Sequence, residues 1–321
     1  MMPVVQPTPR KPLSHRQFHA VLTEHSQELL FDKTHQPMAQ GLDLPAKLYR
    51  DGYVVFDNIE TAYDAYIKLE DCASAARSSI ELGCLFDRIQ LAKVDEIPVC
   101  RDVVETTFQP LHFDMGHPFL LSKHQPICPL VGLYCPYGSH PTAKTRVVNV
   151  GHLLAQRDWD NAVRERVLSY VSKYGDGWEN PTPVNTGRLA CFARVLDAAT
   201  GLGEFKSHID KTMGEWFQEG KPVDYRVGLD NERAFYQKCG LDLEQVEHEI
   251  ALCPGELLVV DNARTIHGRI GKRQPKEIVQ FLYGVQEATP EEIVFVRDSL
   301  LNAFTQNHYC QDSREAVASV L

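Results

Sequence analysis

No stretch of this 321-residue chain approaches the run of about eighteen apolar residues that a membrane-crossing helix requires. The opening MMPVVQPTPRKPLSHRQ puts prolines and charges where a secretory leader needs an apolar core. Neither a membrane partner nor export is expected, so the chain reads as cytoplasmic, with residues 1–12 flexible. Clustered positive charge is also missing. The 33 Lys and Arg are scattered among 43 Asp and Glu, giving a net charge of -10 and no electrostatic footprint for nucleic acid. Nine cysteines contain no CxxC pair, which argues against a zinc knuckle and against a disulfide framework; the thiols read as reduced and mostly buried. There is no internal repeat, low-complexity block or long linker, so residues 1–321 read as one domain, with homo-oligomerisation left open.

What is present is a set of short apolar runs between turn signals. Residues 52–57, 111–121, 127–137 and 145–150 have the composition of strands, as do ELLVVDN (256–262) and EIVQFLYGV (277–285), which Pro254-Gly255 and Pro275 introduce. Residues 60–77 space their apolar positions as a helix does. So do residues 160–174, where Val163, Val167, Leu168 and Val171 mark one face that ends at Gly175. RLACFAR (188–194) reads as a further strand. Strands, then a helical stretch over about 151–250, then strands again imply an antiparallel sandwich or barrel that carries its helices outside.

LHFDMGHPF supplies the chemistry. His112 and Asp114 stand two apart on an expected strand and leave the same face of the sheet, which is half of a metal site. A third ligand must come from another strand, and His267, just after ELLVVDN, is so placed. Two histidines and one carboxylate form the facial set that leaves three positions open on Fe(II). A Gly or Ala at Asp114 would leave room for a halide; the carboxylate points to oxygen chemistry instead. An HxD pair alone is weak evidence, and His208-Ile-Asp210 is a second one. It lies in polar SHIDKTMGEW, which reads as helix, where i and i+2 do not share a face, so it is assigned to a solvated surface. His117 reads as a rim histidine or a substrate contact.

The segment CPGELLVVDNARTIHGR (253–269) resembles the distal-histidine segment of the clavaminate synthase-like and taurine dioxygenase-like family of Fe(II)/2-oxoglutarate oxygenases. The resemblance extends over roughly residues 105–285, strongly at its two ends and hardly at all between them. It implies a double-stranded β-helix, a distorted jelly roll, with a helical lid insertion between the HxD region and the distal-histidine strand. It also implies His112, Asp114 and His267 as iron ligands, with Asp261-Asn262 as the turn that presents His267. The expected cofactors are Fe(II), 2-oxoglutarate as co-substrate, and O2.

Family members clamp the far carboxylate of 2-oxoglutarate with an arginine on the strand after the distal histidine, because a guanidinium meets a carboxylate with two parallel hydrogen bonds. Thr145 matches the threonine that assists it. The arginine is absent from its usual place, since that strand reads KEIVQFLYG. Lys276, with Gln280 and Thr145, is the first substitute; Arg273, Lys272 or Arg269 reaching in from a shortened loop is the second. Substrate contacts implied for the insertion are Tyr174, Trp178, Arg188 and Arg194, the two arginines sharing a face if 188–194 is a strand. The activity implied is hydroxylation of a C–H bond in a small, polar, amino-acid-like molecule with release of succinate and CO2. Two alternatives stand beside it: an Fe(II) oxidase or oxygenase without 2-oxoglutarate, and a non-catalytic β-sandwich binding protein.

Overall fold

The computed structural model describes residues 48, 51–77, 90–96, 107–114, 127–163, 165–166, 191–204, 225–262, 264–274 and 277–285. Residues 1–12, His117, Tyr174, Trp178, Arg188, Lys276, the His208/Asp210 pair and most of 160–174 lie outside them. The described part is mainly β, with its helices on the outside of two antiparallel sheets. In chain order the elements are β1 (Tyr53–Phe56), α1 (Ala62–Arg77), β2 (Gln90–Glu96), β3 (Phe108–His112), β4 (Ile127–Cys135) and β5 (Lys144–Asn149). They continue with α2 (Val150–Leu154), α3 (Cys191–Thr200), α4 (Tyr225–Lys238), β6 (Glu247–Ile250), β7 (Glu256–Asp261), β8 (Thr265–Ile270) and β9 (Val279–Val285). One sheet runs β1-β7-β4-β9-β2 and the other β3-β8-β5-β6.

Alternation along the strands fixes which side chains meet. Val131, Leu133 and Cys135 of β4, Leu258 and Val260 of β7, and Ile278 pack with Val147 of β5 to form a core between the sheets. The opposite face of the smaller sheet, through Leu111, Val148 and Ile266, packs against Phe192 and Leu196 of α3 and Phe235 and Tyr236 of α4. On the outer face of the larger sheet, α1 buries Ala65, Tyr66, Leu69, Cys72 and Ala73, a helical stripe. Its start is set by a reciprocal cap: Asp64 N–H donates to Thr61 Oγ1 at 3.1 Å, and Thr61 N–H to Asp64 Oδ2 at 3.0 Å.

Three expectations change. The strand expected over 111–121 is β3, which ends at His112, so Asp114 stands in a turn beyond it rather than on the strand. The described part of RLACFAR, residues 191–194, is not strand. From Cys191 onward the chain is helical, because the apolar residues Phe192, Val195, Leu196 and Ala199 recur at three- and four-residue spacing and are all buried against β3, α2 and α4. Arg194 therefore lies on a helix, and the shared strand face with Arg188 lapses. The expected insertion contains α2, α3 and α4, but also β6, which completes the smaller sheet by pairing with β5.

Under α4 lies a buried ionic cluster. Arg146, on the helix-facing side of β5, is fully buried between Glu232 of α4, whose Oε2 it meets at 2.6 Å, and Glu247 of β6. Glu232 also accepts from the Leu111 backbone N–H at 2.7 Å, tying the helix to β3 one residue before His112. Burial raises the Glu232 carboxyl even against the neighbouring Arg146 guanidinium.

Candidate metal centre

His112 at the end of β3 and His267 in the middle of β8 are cross-strand partners, which brings their rings to a centroid separation of 4.7 Å. His267 belongs to a strand of its own. TIHGRI pairs with β3 on one side and β5 on the other, after the turn in which Arg264 N–H returns to Asp261 C=O at 3.2 Å. Asp114 reaches the same point from beyond the strand. Asn262 grips its main chain twice: Asp114 N–H donates to Asn262 Oδ1 at 2.9 Å, and Asn262 Nδ2 to Asp114 C=O at 3.0 Å. The Asp-Asn turn thus positions the carboxylate as well as the histidine that follows it.

The three side chains offer donor atoms that all lie within 4.8 Å of one another. Asp114 Oδ1 is 3.4 Å from His112 Nε2, and its Oδ2 is 3.2 Å from His267 Nε2. Adjacent ligands of a six-coordinate ion with bonds of about 2.1 Å stand about 3 Å apart, so this spacing suits one metal ion on one face. Protonation suits it too. Pro110 C=O, which can only accept, takes the His112 Nδ1–H at 2.8 Å, leaving Nε2 with its lone pair toward the site. Burial holds His267 below its ordinary value despite the pull of Asp114, which favours the neutral, ligating imidazole. Burial would raise the Asp114 carboxyl, but His267 and His112 outweigh it and keep it well below the usual carboxylate range. Both histidines are buried and Asp114 is partly open, so access is from the carboxylate side.

Gln280, expected near a co-substrate, donates its Nε2 to Asp114 Oδ2 at 2.7 Å. Below the His112–His267 row, one step along the strands, lies a polar row on the same face: Gln109, Arg269 and Thr145 in register. Arg269 and Thr145 are buried. Arg273, just past β8, is buried near Arg269 with its Nε unpaired. Burial pushes Arg269 down to about 10; burial and then the neighbouring Arg269 push Arg273 down to about 9. Both remain cationic at neutral pH. Lys272 is exposed. Gln109 was not singled out from sequence, because nothing local marks the bulge that turns it inward.

No protein-family model and no curated protein matches the chain. Among solved structures it is similar to an asparagine oxygenase in complex with Fe(II), 2S,3S-3-hydroxyasparagine and succinate, at 15% identity over 76% of this chain and 77% of that one, TM-score 0.33. AAD-2 in complex with Mn(II) and N-oxalylglycine aligns at 11% identity over 89% and 95% of the two chains, TM-score 0.36. The Kdo hydroxylase KdoO, a non-heme Fe(II) alphaketoglutarate dependent dioxygenase, aligns at 9% identity over 91% and 83%, TM-score 0.26.

Proposed function

We propose that the protein is a single-domain, cytoplasmic, mononuclear Fe(II)- and 2-oxoglutarate-dependent oxygenase that hydroxylates a C–H bond of a small polar, amino-acid-like molecule, releasing succinate and CO2. The observation that carries this reading is the pairing of a two-histidine, one-carboxylate donor set with a buried cationic row one step along the same strands. His112, Asp114 and His267 hold the iron, and the two sheets belong to a double-stranded β-helix. Fe(II) held by these residues would supply the one-electron chemistry that couples O2 to its two reductants, the 2-oxo acid, oxidised to succinate and CO2, and the substrate C–H bond, oxidised to C–OH.

The chain's own residues bind and orient. Arg269 lies two residues beyond His267 on β8, about 7 Å along the strand, the length scale of a five-carbon dicarboxylate chelated at one end. Its guanidinium takes the far carboxylate, with Thr145 beside it and Arg273 adding charge. At Arg273 the buried Nε has no hydrogen-bond partner, a cost in stability that an arriving anion nearby relieves. The Arg269 and Arg273 pair supplies the guanidinium that KEIVQFLYG lacks, beside or in place of Lys276, and so argues against an iron enzyme that dispenses with 2-oxoglutarate. The intact donor set speaks against a purely binding role. Tyr174 and Trp178 of the insertion remain proposed substrate contacts, as do His117, Arg188 and Arg194.

Thermal unfolding with the redox-silent Mn(II) tests this without the primary substrate. With Mn(II) present, 2-oxoglutarate at 100 times its Kd raises Tm by about 4 °C for a chain of 321 residues. Arg269→Leu removes that increment and keeps the one due to Mn(II). A parent protein stabilised by Mn(II) but indifferent to 2-oxoglutarate would return the reading to an iron enzyme of another kind.

A further inference from the structure

Gln109 precedes His112 by three residues, and on a regular strand residues three apart face opposite ways. Here the register breaks. Gln109 pairs with Arg269 and His112 with His267, so three steps on β3 match two on β8 and β3 carries one extra residue. Pro110, within the bulge on a strand that is at the sheet edge among the described residues, has no N–H to place in the ladder. Gly268 opposite leaves room for it, since a Cβ there would stand 2.6 Å from Gln109 C=O. The extra residue turns the Gln109 side chain onto the face of His112 and His267.

Its carboxamide Nε2 lies 3.4 Å from His112 Nε2, on a half-buried residue that is cross-strand from Arg269 and one step from the histidine row. Because His112 Nδ1 is committed to Pro110 C=O, Nε2 holds the lone pair that this amide approaches, and that a metal would occupy. With the metal in place the amide needs another acceptor. Arg269 and Arg273 only donate, and the Asp114 carboxylate is shared between the metal and Gln280, whose Nε2 reaches its Oδ2. The acceptor-rich group that arrives with the co-substrate is the carboxylate at its metal-binding end.

Resting on the 2-oxoglutarate reading above, we infer that Gln109 is a binding residue for the 2-oxo acid, donating its side-chain amide to the metal-held carboxylate and favouring 2-oxo acids over dicarboxylates that cannot chelate. Calorimetric titration of the Mn(II)-loaded protein with 2-oxoglutarate and with glutarate, which has the same length and lacks the 2-oxo group, separates the two ends. In Gln109→Leu the Kd for 2-oxoglutarate rises about tenfold or more, as loss of a hydrogen bond to a charged group implies. The Kd for glutarate stays within about twofold, and Mn(II) affinity without dicarboxylate within about threefold, because neither depends on a bond to the chelating carboxylate. Gln109→Glu keeps the shape, removes the donor and adds a repelling charge, so it loses 2-oxoglutarate at least as strongly and serves if the leucine variant does not fold. Unchanged 2-oxoglutarate affinity, equal losses for both dicarboxylates, or a collapse of Mn(II) affinity itself each overturns the inference alone. A parent protein that binds Mn(II) but no 2-oxoglutarate overturns the co-substrate reading and this inference with it.

Discussion

Asp114→Ala is expected to lower Fe(II) affinity by more than about 100-fold, since even the outer partners of metal ligands cost 10–100-fold when removed. Two neutral imidazoles would be left, with no anionic donor to offset the charge of the ion. The ligand-free protein keeps its local structure, because the Asn262 clamp holds Asp114 through main-chain N–H and C=O, which alanine retains. Gln280, His112 and His267 each lose the carboxylate as a neighbour, and the gap lies on the side from which the site is open. The loss should therefore appear in an anaerobic Fe(II) titration and hardly in the Tm of the metal-free protein. Equal affinity in variant and parent would sink the metal site.

Arg146→Met should cost about 3–5 kcal/mol of stability, the range for breaking a buried ion pair from one side. The guanidinium separates two carboxylates that are themselves buried, Glu232 and Glu247. Without it, among the described residues, Glu232 is left without a counter-charge and Glu247 keeps only Arg233, at 3.5 Å, unless one carboxylate takes up a proton. At 321 residues that corresponds to a fall in Tm of roughly 4–7 °C. Because Glu232 also holds the Leu111 N–H, the damage reaches β3 beside His112, and metal affinity should fall with it. Adding Glu232→Gln removes one of the stranded charges and should recover part of the loss. Urea denaturation of the three proteins measures this, and a change below about 1 kcal/mol for the single variant would show that the cluster does not hold the helix to the sheet.

Much of the site could be read in the sequence because its signals are local. His112 and Asp114 stand two apart, and the Pro-Gly, apolar strand and Asp-Asn order before His267 survives intact. What escaped depends on pairing. TIHGRI does not look like a strand, with a glycine and an arginine in its second half, yet it is the central ladder between β3 and β5. Gly268 is there because the neighbouring backbone leaves no room for a side chain, a reason invisible within β8 itself. Arg269 and Arg273 read as charges in a loop, where solvation is the ordinary fate; only the register with Thr145 and their burial set them apart from exposed Lys272. The inward turn of Gln109 comes from one extra residue in β3, which no periodicity records. The strand expected over 188–194 failed for a different reason: a short apolar run fits strand and buried helix alike, and from Cys191 onward packing against α4 decided it.

The most direct test of the account is an anaerobic titration of the protein with Fe(II) and 2-oxoglutarate, followed by visible absorption. The account predicts a weak charge-transfer band that needs both components, saturates at one equivalent of iron and is lost in Asp114→Ala. Saturating 2-oxoglutarate on the iron-loaded protein with no such band would contradict it.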